Sequence, residues 1–551
     1  MIERSDRVNR FIVGAAILVA LLAGIFIPMI TDEAYYVDWA TRSAWPTLGF
    51  FDHPPFVSWL AGGVRIWHQI FAARIMVWLS YLVSVYYIWK TAKILIPSRA
   101  MLAVVLVVTS IGGIASGFLL TPDTGLIVMW SIAIHEAVLA IRGDPRRWLS
   151  AGLATGIGLL SKYTMVLIGP VFLWGMIRDA RKQLWSPWPY LGGIVCALVF
   201  APHVWWQSQN NWVTFRFQFG HGFSIKQAVA MSSLLPNAKN PETESINAEL
   251  RRELFEAMGS VSGFAEAFPK PKPEKSKWEQ AVQYTGDFAG GVAALWGVYS
   301  SAALLKGLRA FTNKREKSPE ANSQRELGMG LIEAGAFFPL IFFGALSPFT
   351  KIEANWPAMH MAPLAIWVLT HWTIPLRLIM TSLAVHIVAI SSLIYVLVFP
   401  ETVPFARKNR LLLESKGYRA LGEWVMANFP AEKIAVDSYQ LKSAIRYYAP
   451  ATPVVQWPGI TRGSEYTRGD RDDRAIEEKI LYQPKLTVIS MNSWPQVIPG
   501  FNAESFSGIR VCPDGRIGVF NIQHPQLPCE KGLREWWITT YRNDFILQNP
   551  R

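Results

Sequence analysis

Runs of about 20 apolar residues recur along this 551-residue chain, and a helix needs a run of that length to cross a bilayer. Charged residues make up only 17 % of the sequence, against about 25 % in a typical soluble domain. A signal peptide is the alternative for the first run, but the run is long for one and lacks a cleavage motif of small residues. We therefore predict an α-helical polytopic membrane protein with about 11 transmembrane helices. The predicted spans are residues 11–30, 74–91, 100–118, 122–141, 149–160, 163–177, 188–206, 288–305, 329–347, 356–371 and 379–399.

The distribution of basic residues predicts the orientation of these helices. With the N-terminus in the cytoplasm, the short loops on that side carry 19 Lys and Arg residues, and the short segments on the other side carry 5. Such an excess is typical of cytoplasmic loops. It accounts for much of the net charge of +13 and argues against nucleic-acid binding. An odd number of helices then places the C-terminus on the external side.

The last 150 or so residues differ from the rest, because the apolar runs shorten and charged residues return. Short strand-like segments alternate there with helical ones, which predicts a small α/β domain with a largely parallel sheet. The predicted strands are 433–437, 454–457 and 485–490, and the predicted helices are 438–449 and 472–482.

These patterns divide the chain into two domains. Residues 1–400 form the predicted transmembrane domain, within which residues 207–287 are a large external loop or insertion. Residues 401–551 form the predicted exported α/β domain.

The sequence contains three cysteines. Cys512 and Cys529 both lie in the exported domain, and an oxidising compartment favours a disulfide between them. Two buried thiols are the alternative. Cys196 lies in a predicted span and is interpreted as a small packing residue.

Two acidic residues, Asp32 and Glu33, stand where the first predicted helix leaves the membrane. Carboxylates beside a bilayer are costly and are usually functional. At this interface the pair can act as a general base, bind a divalent ion or hold hydroxyl groups. An ordinary helix cap explains the same two residues.

A second acidic residue pairs with a base in the box Phe51-Asp52-His53-Pro54-Pro55. The two prolines fix the backbone and end any helix, so that Asp52 and His53 project from a stiff turn. A turn without a functional role is the alternative.

Asp123 and Lys162 are charged residues at the ends of predicted spans on the same side. Asp123 follows Pro122 at a helix N-terminus, where helix capping is the alternative to a functional role. Lys162 is a rare positive charge in the external half and is placed to meet a phosphate. Snorkelling of its amine to the membrane surface is the alternative.

Further polar and aromatic residues cluster on the same predicted face, and their convergence matters more than any one of them. They follow the span at 188–206 or precede the span at 356–371. They are His203, Arg216, Gln218, His221, Lys351, Glu353 and Asn355, with Tyr35 beside the first acidic pair and Tyr163 beside Lys162.

Three motifs occur here in an order that resembles the GT-C membrane glycosyltransferases. They are an Asp-Glu pair after the first helix, an aromatic–acid–base–Pro-Pro box and a later Pro-Asp. The chain is similar to the bacterial protein-mannosyltransferase-like family and to the lipid A aminoarabinose transferases. The resemblance covers residues 1–400 and extends more loosely into the exported domain. Its other motifs are LSKYT at 160–164, HVWWQSQNNWVTFRFQF at 203–219, EANWPA at 353–358 and DSYQLKSAIRYYAP at 437–450.

The resemblance implies a GT-C fold and an inverting glycosyltransferase of the bacterial inner membrane. Such an enzyme moves one sugar from an undecaprenyl-phosphate carrier to lipid A or another envelope glycolipid at the periplasmic face. Its partners are that donor, the acceptor and the lipid bilayer, with no nucleic acid. A protein O-mannosyltransferase is the alternative within the class. A membrane transporter is the alternative from another class, and it would require repeated halves and charges near the bilayer midplane.

The resemblance also implies roles for individual residues. Asp32 matches the acidic residue at the reaction centre, Glu33 matches the second residue of the mannosyltransferase Asp-Glu pair, and Asp123 matches a further acidic position. Asp52 and His53 match an acid–Lys pair of the aminoarabinose transferases, whose Lys meets the carrier phosphate.

Here His53 stands in place of that Lys. We therefore expect Lys162, Arg216 or Lys351 to bind the carrier phosphate. Tyr35, Tyr163, His203, Gln218, His221, Glu353 and Asn355 complete the predicted substrate-binding set. No cofactor is required. A divalent metal is compatible with the site, and Asp52, His203 and His221 are the residues that would hold it.

Overall fold

The chain forms two compact units, which divide between residues 27 and 28, 39 and 40, and 393 and 394. The second unit therefore combines residues 28–39 with residues that follow 393. The computed structural model describes residues 2–67, 70–223, 276–297, 327–371, 375–399, 410–430, 432, 434–457, 464–467, 483–491, 501–521, 526–530 and 532–543.

The first unit is built from helices, and the chain is a multi-pass membrane protein. Within the described ranges, six helical stretches are long and apolar enough to cross a bilayer. Apolar side chains on these helices also point outward: Leu198, Ile387 and Val388 are each more than 60 % exposed. Such exposure suits a lipid environment and is costly in water. The six stretches are Asp6–Phe26, Ile70–Leu95, Pro122–Ile141, Pro187–Gln209, Met329–Leu346 and Arg377–Val396.

Further helices of the first unit accompany these six stretches. Helix Pro122–Ile141 is the most enclosed, with 78 % of its most apolar window buried. The other helices of this unit are Phe56–Leu60, Ala100–Val108, Ile111–Ala115, Arg147–Leu159, Ile168–Asp179, Val213–Phe223, Lys277–Trp296 and Met361–His371.

Local sequence signals explain where several of these helices begin and end. Proline occupies the first position of helices Pro122–Ile141 and Pro187–Gln209, where its missing N–H costs nothing. Helix Lys277–Trp296 begins with a capping box, in which Ser276 Oγ accepts from Glu279 N and Glu279 Oε2 accepts from Ser276 N. It ends at Gly297, whose φ of +89° suits glycine.

The structure corrects several predicted spans. The span 11–30 ends at Phe26, and a separate helix, Thr31–Arg42, follows it. The span 100–118 is two helices, because Ser110 caps a new helix at Ile111 by accepting from Gly113 N. The span 288–305 is shifted, since its helix runs Lys277–Trp296 and residues 298–305 lie outside the described ranges.

The second unit contains a six-stranded mixed sheet with strand order β2-β1-β3-β6-β4-β5. Strands β1, β2 and β3 are parallel, as predicted, but β6 pairs antiparallel with β3, and β4 pairs antiparallel with both β6 and β5. The prediction of a largely parallel sheet was therefore wrong for half of the strands. The strands are β1 Ile434–Val436, β2 Val454–Gln456, β3 Lys485–Ser490, β4 Phe501–Val511, β5 Ile517–Asn521 and β6 Arg534–Asn543.

Helices Arg410–Ser415, Tyr418–Asn428 and Tyr439–Tyr448 accompany this sheet. Leu421, Ile445 and Trp536 are fully buried in the core between helices and strands. Helix Tyr439–Tyr448 falls within the predicted helix 438–449, whereas the predicted helix 472–482 lies outside the described ranges. Cys512 and Cys529, the two cysteines expected to pair, are joined by a disulfide. Cys196 is a half-buried free thiol.

Candidate functional site

Asp123 and Lys162 form an ion pair in the first unit. Lys162 Nζ lies 2.7 Å from Asp123 Oδ1, and the side chains are only 11 % and 13 % exposed. Asn355 Nδ2 donates to the other carboxylate oxygen, Asp123 Oδ2, at 2.7 Å. The Lys162 amine also lies 5.9 Å from the centre of the Trp356 ring. Residues from three distant stretches of sequence thus meet at the first turn of helix Pro122–Ile141.

Three consecutive residues, Ser161, Lys162 and Tyr163, connect this pair to a second group. They lie in the short segment between helices Arg147–Leu159 and Ile168–Asp179. Ser161 Oγ donates to Pro122 O at 2.7 Å, and Tyr163 Oη bonds His203 Nε2 at 2.6 Å. In the sequence this segment looks like a minor break in an apolar run. In the structure it connects the Asp123–Lys162 pair to the group around His203.

His203 is fully buried on helix Pro187–Gln209, and both of its ring nitrogens are engaged. Nδ1 lies 2.6 Å from the carbonyl oxygen of Leu48. Because a carbonyl only accepts, Nδ1 carries the proton and Nε2 accepts from the Tyr163 hydroxyl. His203 therefore fastens the segment around Leu48 to the helix and fixes Tyr163.

Two further side chains bind alternate carbonyls of the same segment. Thr214 Oγ1 donates to Phe50 O at 2.5 Å, and Gln218 Nε2 donates to Asp52 O. Carbonyls 48, 50 and 52 are thus each bound by a side chain from residues 203–218. This regular spacing explains why the HVWWQSQNNWVTFRFQF stretch and the Asp52-His53 box belong together.

The same contacts position Asp52 and His53. Asp52 is buried, and His53 is half-buried with its Nδ1 3.3 Å from Gln218 Nε2. Arg216 is exposed on the same helix as Gln218 and forms no ion pair among the residues that the structure describes. The first unit therefore brings Asp52, His53, Tyr163, His203 and Gln218 into one network.

Three other predicted site residues behave differently. Lys351 pairs with Glu353 at 2.9 Å in an exposed ion pair, and the lysine side chain is 61 % exposed. Asn355, two residues after Glu353, is the member of this segment whose side chain donates to Asp123. The side chain of His221 lies outside the described part of the structure.

The second unit contains Asp32. Its Oδ1 accepts from the Tyr439 hydroxyl at 3.1 Å and from Gln440 Nε2 at 3.3 Å. Both donors lie in the first turn of helix Tyr439–Tyr448. Neither residue was selected from the sequence, because more than 400 residues separate them from Asp32. The motif DSYQLKSAIRYYAP, which contains both, was the available signal.

Glu33 and Tyr35 have structural contacts that their predicted roles did not anticipate. Glu33 is fully buried, and its Oε2 accepts from Ile30 N at 3.1 Å, as the third residue of a capping box does. This contact agrees with the helix-cap alternative for Glu33, whose catalytic role stays a prediction. Tyr35 is 1 % exposed, and its hydroxyl accepts from Glu465 N at 2.7 Å. The contact of Tyr35 with substrate stays a prediction.

A buried charged cluster in the second unit also escaped the sequence analysis. Arg446 Nε lies 3.6 Å from Asp38 Oδ1, and Lys442 Nζ lies 4.1 Å from the centre of the Tyr466 ring. Burial raises the pKa of the Asp38 carboxyl, while Arg446, the Tyr466 hydroxyl and Lys442 oppose that rise. Lys442 and Arg446 are four residues apart, so they share one helix face.

The metal site expected at Asp52, His203 and His221 stays a prediction, because the side chain of His221 lies outside the described ranges. Both ring nitrogens of His203 already have partners, so metal binding would break one of those bonds. No group of three His, Cys, Asp or Glu side chains that could hold a metal occurs within the described ranges.

Residues 52–206 match the family described as dolichyl-phosphate-mannose-protein mannosyltransferase. The predicted family resemblance is confirmed over these residues. They include Asp52, His53, Asp123, Lys162, Tyr163 and His203.

Two curated relatives come from Rhizobium johnstonii. The lipopolysaccharide core galacturonosyltransferase RgtA is 27 % identical over 223 residues, which are 37 % of this chain and 44 % of RgtA. The lipid A galacturonosyltransferase RgtD is 24 % identical over 196 residues, which are 34 % of this chain and 40 % of RgtD. The chain thus matches less than half the length of these relatives.

Among solved structures, the chain is similar to ArnT from Cupriavidus metallidurans in the apo state. The two are 13 % identical, the alignment covers 96 % of this chain and 97 % of ArnT, and the TM-score is 0.41.

Proposed function

We propose that this protein is an inverting glycosyltransferase that moves one sugar from a polyprenyl-phosphate carrier, undecaprenyl phosphate, to lipid A or another envelope glycolipid. The family match supports the donor class, because dolichyl phosphate mannose is itself a sugar on a polyprenyl phosphate. The relatives support the acceptor class, since RgtA and RgtD are named for transfer to lipopolysaccharide core and lipid A.

The observation that carries this proposal is the Asp123–Lys162–Asn355 group joined through Tyr163 to the Asp52-His53 box. All of these residues except Asn355 lie within the family-matched segment. Asp123 and Lys162 lie at helix ends, at residues 122–123 and 160–163, and not in mid-helix. A transporter would favour charges near the bilayer midplane, so this placement favours an enzyme at one membrane surface.

The chemistry of the reaction explains why such residues are needed. The bond between the anomeric carbon and the carrier phosphate breaks, and an acceptor oxygen forms the new bond from the opposite side. The leaving phosphate needs cations, for which Lys162 and Arg216 are the candidates, with Lys351 as a third. Asp123 and Asn355 hold the Lys162 amine in place. Because the sugar already carries a good leaving group, the proposed reaction requires no cofactor.

In this proposal Asp32 is the carboxylate that deprotonates the acceptor hydroxyl or orients a phosphate acceptor. We assign the reaction to the periplasmic face of the bacterial inner membrane, with a cytoplasmic N-terminus and a periplasmic C-terminus. The excess of 19 over 5 basic residues in short loops supports this orientation. The Cys512–Cys529 disulfide supports an oxidising compartment for the second unit.

Protein O-mannosylation is the second candidate. The description of the matching family favours it, because members of that name transfer mannose to proteins. The capping contact of Glu33 weighs against it, since Glu33 is the residue that matches the mannosyltransferase Asp-Glu pair.

Purified full-length protein in nanodiscs tests the proposal. Undecaprenyl-phosphate-linked galacturonic acid, aminoarabinose and mannose are offered in turn with lipid A, with lipopolysaccharide core or with a Ser/Thr peptide. Mass spectrometry should detect a glycolipid heavier by one sugar with the wild type and not with Asp32→Asn. A mass gain on the peptide alone would favour the second candidate, and no gain on any acceptor would contradict both.

A further inference from the structure

Asp32 is contacted in an asymmetric way. The hydrogen bonds from Tyr439 and Gln440 both reach Oδ1, at 3.1 Å and 3.3 Å. Among the described residues, no hydrogen bond is recorded to Oδ2. Asp32 is half-buried, whereas its neighbours Thr31 and Glu33 are buried. One carboxylate oxygen is therefore occupied by protein donors.

The two donors are held firmly. Ser438 Oγ caps helix Tyr439–Tyr448 by accepting from Leu441 N, which fixes the first turn that carries both donors. The Tyr439 ring packs against the Tyr35 ring, with centroids 4.6 Å apart. A side chain held by ring packing loses little further entropy when its hydroxyl binds Asp32.

Helix Thr31–Arg42, which carries Asp32, contacts helix Tyr439–Tyr448 at further positions along its length. Ser443 Oγ donates to Thr31 O at 3.3 Å, and Arg446 pairs with Asp38 at 3.6 Å. Positions 439, 443 and 446 follow the helical repeat and share one face. The contact with Asp32 thus belongs to a continuous helix–helix seam and not to an isolated surface bond.

From this geometry we infer that Tyr439 and Gln440 are positioning residues for Asp32, an inference that rests on the proposed function. Two donors on one oxygen stop the carboxylate group from rotating, which leaves Oδ2 directed at the acceptor group. A reacting group held in the productive orientation avoids an entropic cost when the reaction occurs. Neither Tyr439 nor Gln440 contacts the reacting atoms in this account.

The test uses full-length protein in nanodiscs and the transfer assay described above. Tyr439→Phe removes only a hydroxyl, and Gln440→Leu removes only the amide. We expect each to lower kcat about tenfold, with an unchanged KM for the lipid-linked donor and an unchanged Tm. Tyr447→Phe, the same chemical change on the same helix, is the matched control and should keep the wild-type kcat.

Wild-type kcat in both Tyr439→Phe and Gln440→Leu would overturn the inference. A loss of kcat that is matched by a fall in Tm would also overturn it, because that result indicates a purely structural role. In either case an active wild type with an inactive Asp32→Asn would leave the proposed function standing. An inactive wild type would overturn the proposed function and this inference together.

Discussion

Lys162 Nζ lies 2.7 Å from Asp123 Oδ1, and neither side chain is more than 13 % exposed. A nearly buried ion pair contributes little net stability, since desolvation cancels much of the attraction. Loss of one partner is costly, because the other charge then stays buried and unpaired. Stability alone therefore does not explain the pair, and we propose that a lysine fixed in this way binds the carrier phosphate.

We predict that Lys162→Met lowers sugar transfer by about 100-fold or more, because it removes a cation from the leaving phosphate. It should also lower the free energy of unfolding by about 3–5 kcal/mol. The double variant Lys162→Met/Asp123→Leu should regain most of that stability and none of the activity. Thermal unfolding and transfer rates are measured on each purified variant.

The exposed pair Arg516–Asp514, which also spans 2.7 Å, supplies the control. Arg516→Met should change neither the transfer rate nor the free energy of unfolding by a measurable amount, because exposed ion pairs contribute little. Recovery of activity in the Lys162→Met/Asp123→Leu variant would show that the pair has only a structural role.

His203→Phe should destabilise the protein. The change removes the donor to Leu48 O and the acceptor for Tyr163, so buried polar groups lose their partners at a cost of about 1–3 kcal/mol. His203→Asn should be milder, since its amide can still donate to Leu48. Thermal unfolding in detergent measures both.

His371→Phe is the matched control, because His371 Nδ1 bonds Trp367 O within its own helix. An equal fall in Tm for His203→Phe and His371→Phe would contradict the role assigned to His203.

The disulfide between Cys512 and Cys529 should stabilise the sheet of the second unit. The two residues are 17 apart in sequence, and closing a loop of that size contributes about 3 kcal/mol. The variant Cys512→Ser/Cys529→Ser should therefore have a lower Tm than the oxidised wild type. If both have the same Tm, and if the wild type from cells shows three free thiols by mass spectrometry, Cys196 included, the pairing is contradicted.

The parts of the fold that depend on local pattern could be predicted from the sequence. Apolar runs gave the long helices, and alternating segments gave β1, β2 and β3. Strand β4 was missed because the four residues that follow Phe501 are all exposed, so no apolar alternation marks its first half. Its pairing with β6 brings together residues far apart in the chain, which periodicity does not reveal.

The candidate site was predictable in its residue types and less so in its contacts. Asp32 and Glu33 are adjacent and look equivalent in the sequence. Because they are adjacent on helix Thr31–Arg42, their side chains point in different directions. Asp32 accepts a hydrogen bond from Tyr439, and Glu33 caps its own helix. The sequence also does not show that Tyr35 is buried and that its hydroxyl accepts from Glu465 N. Such differences depend on which helix face is covered, and the covering segment begins about 400 residues later.

The central claim is sugar transfer to an envelope lipid through Asp32. Its most direct test is mass spectrometry of envelope lipids from cells with the wild type, with Asp32→Asn and with the gene deleted, at equal protein expression in the first two. We expect a glycolipid lighter by one sugar in both the Asp32→Asn and the deletion cells. Unchanged lipids in both, alongside a phenotype of the deletion, would contradict it.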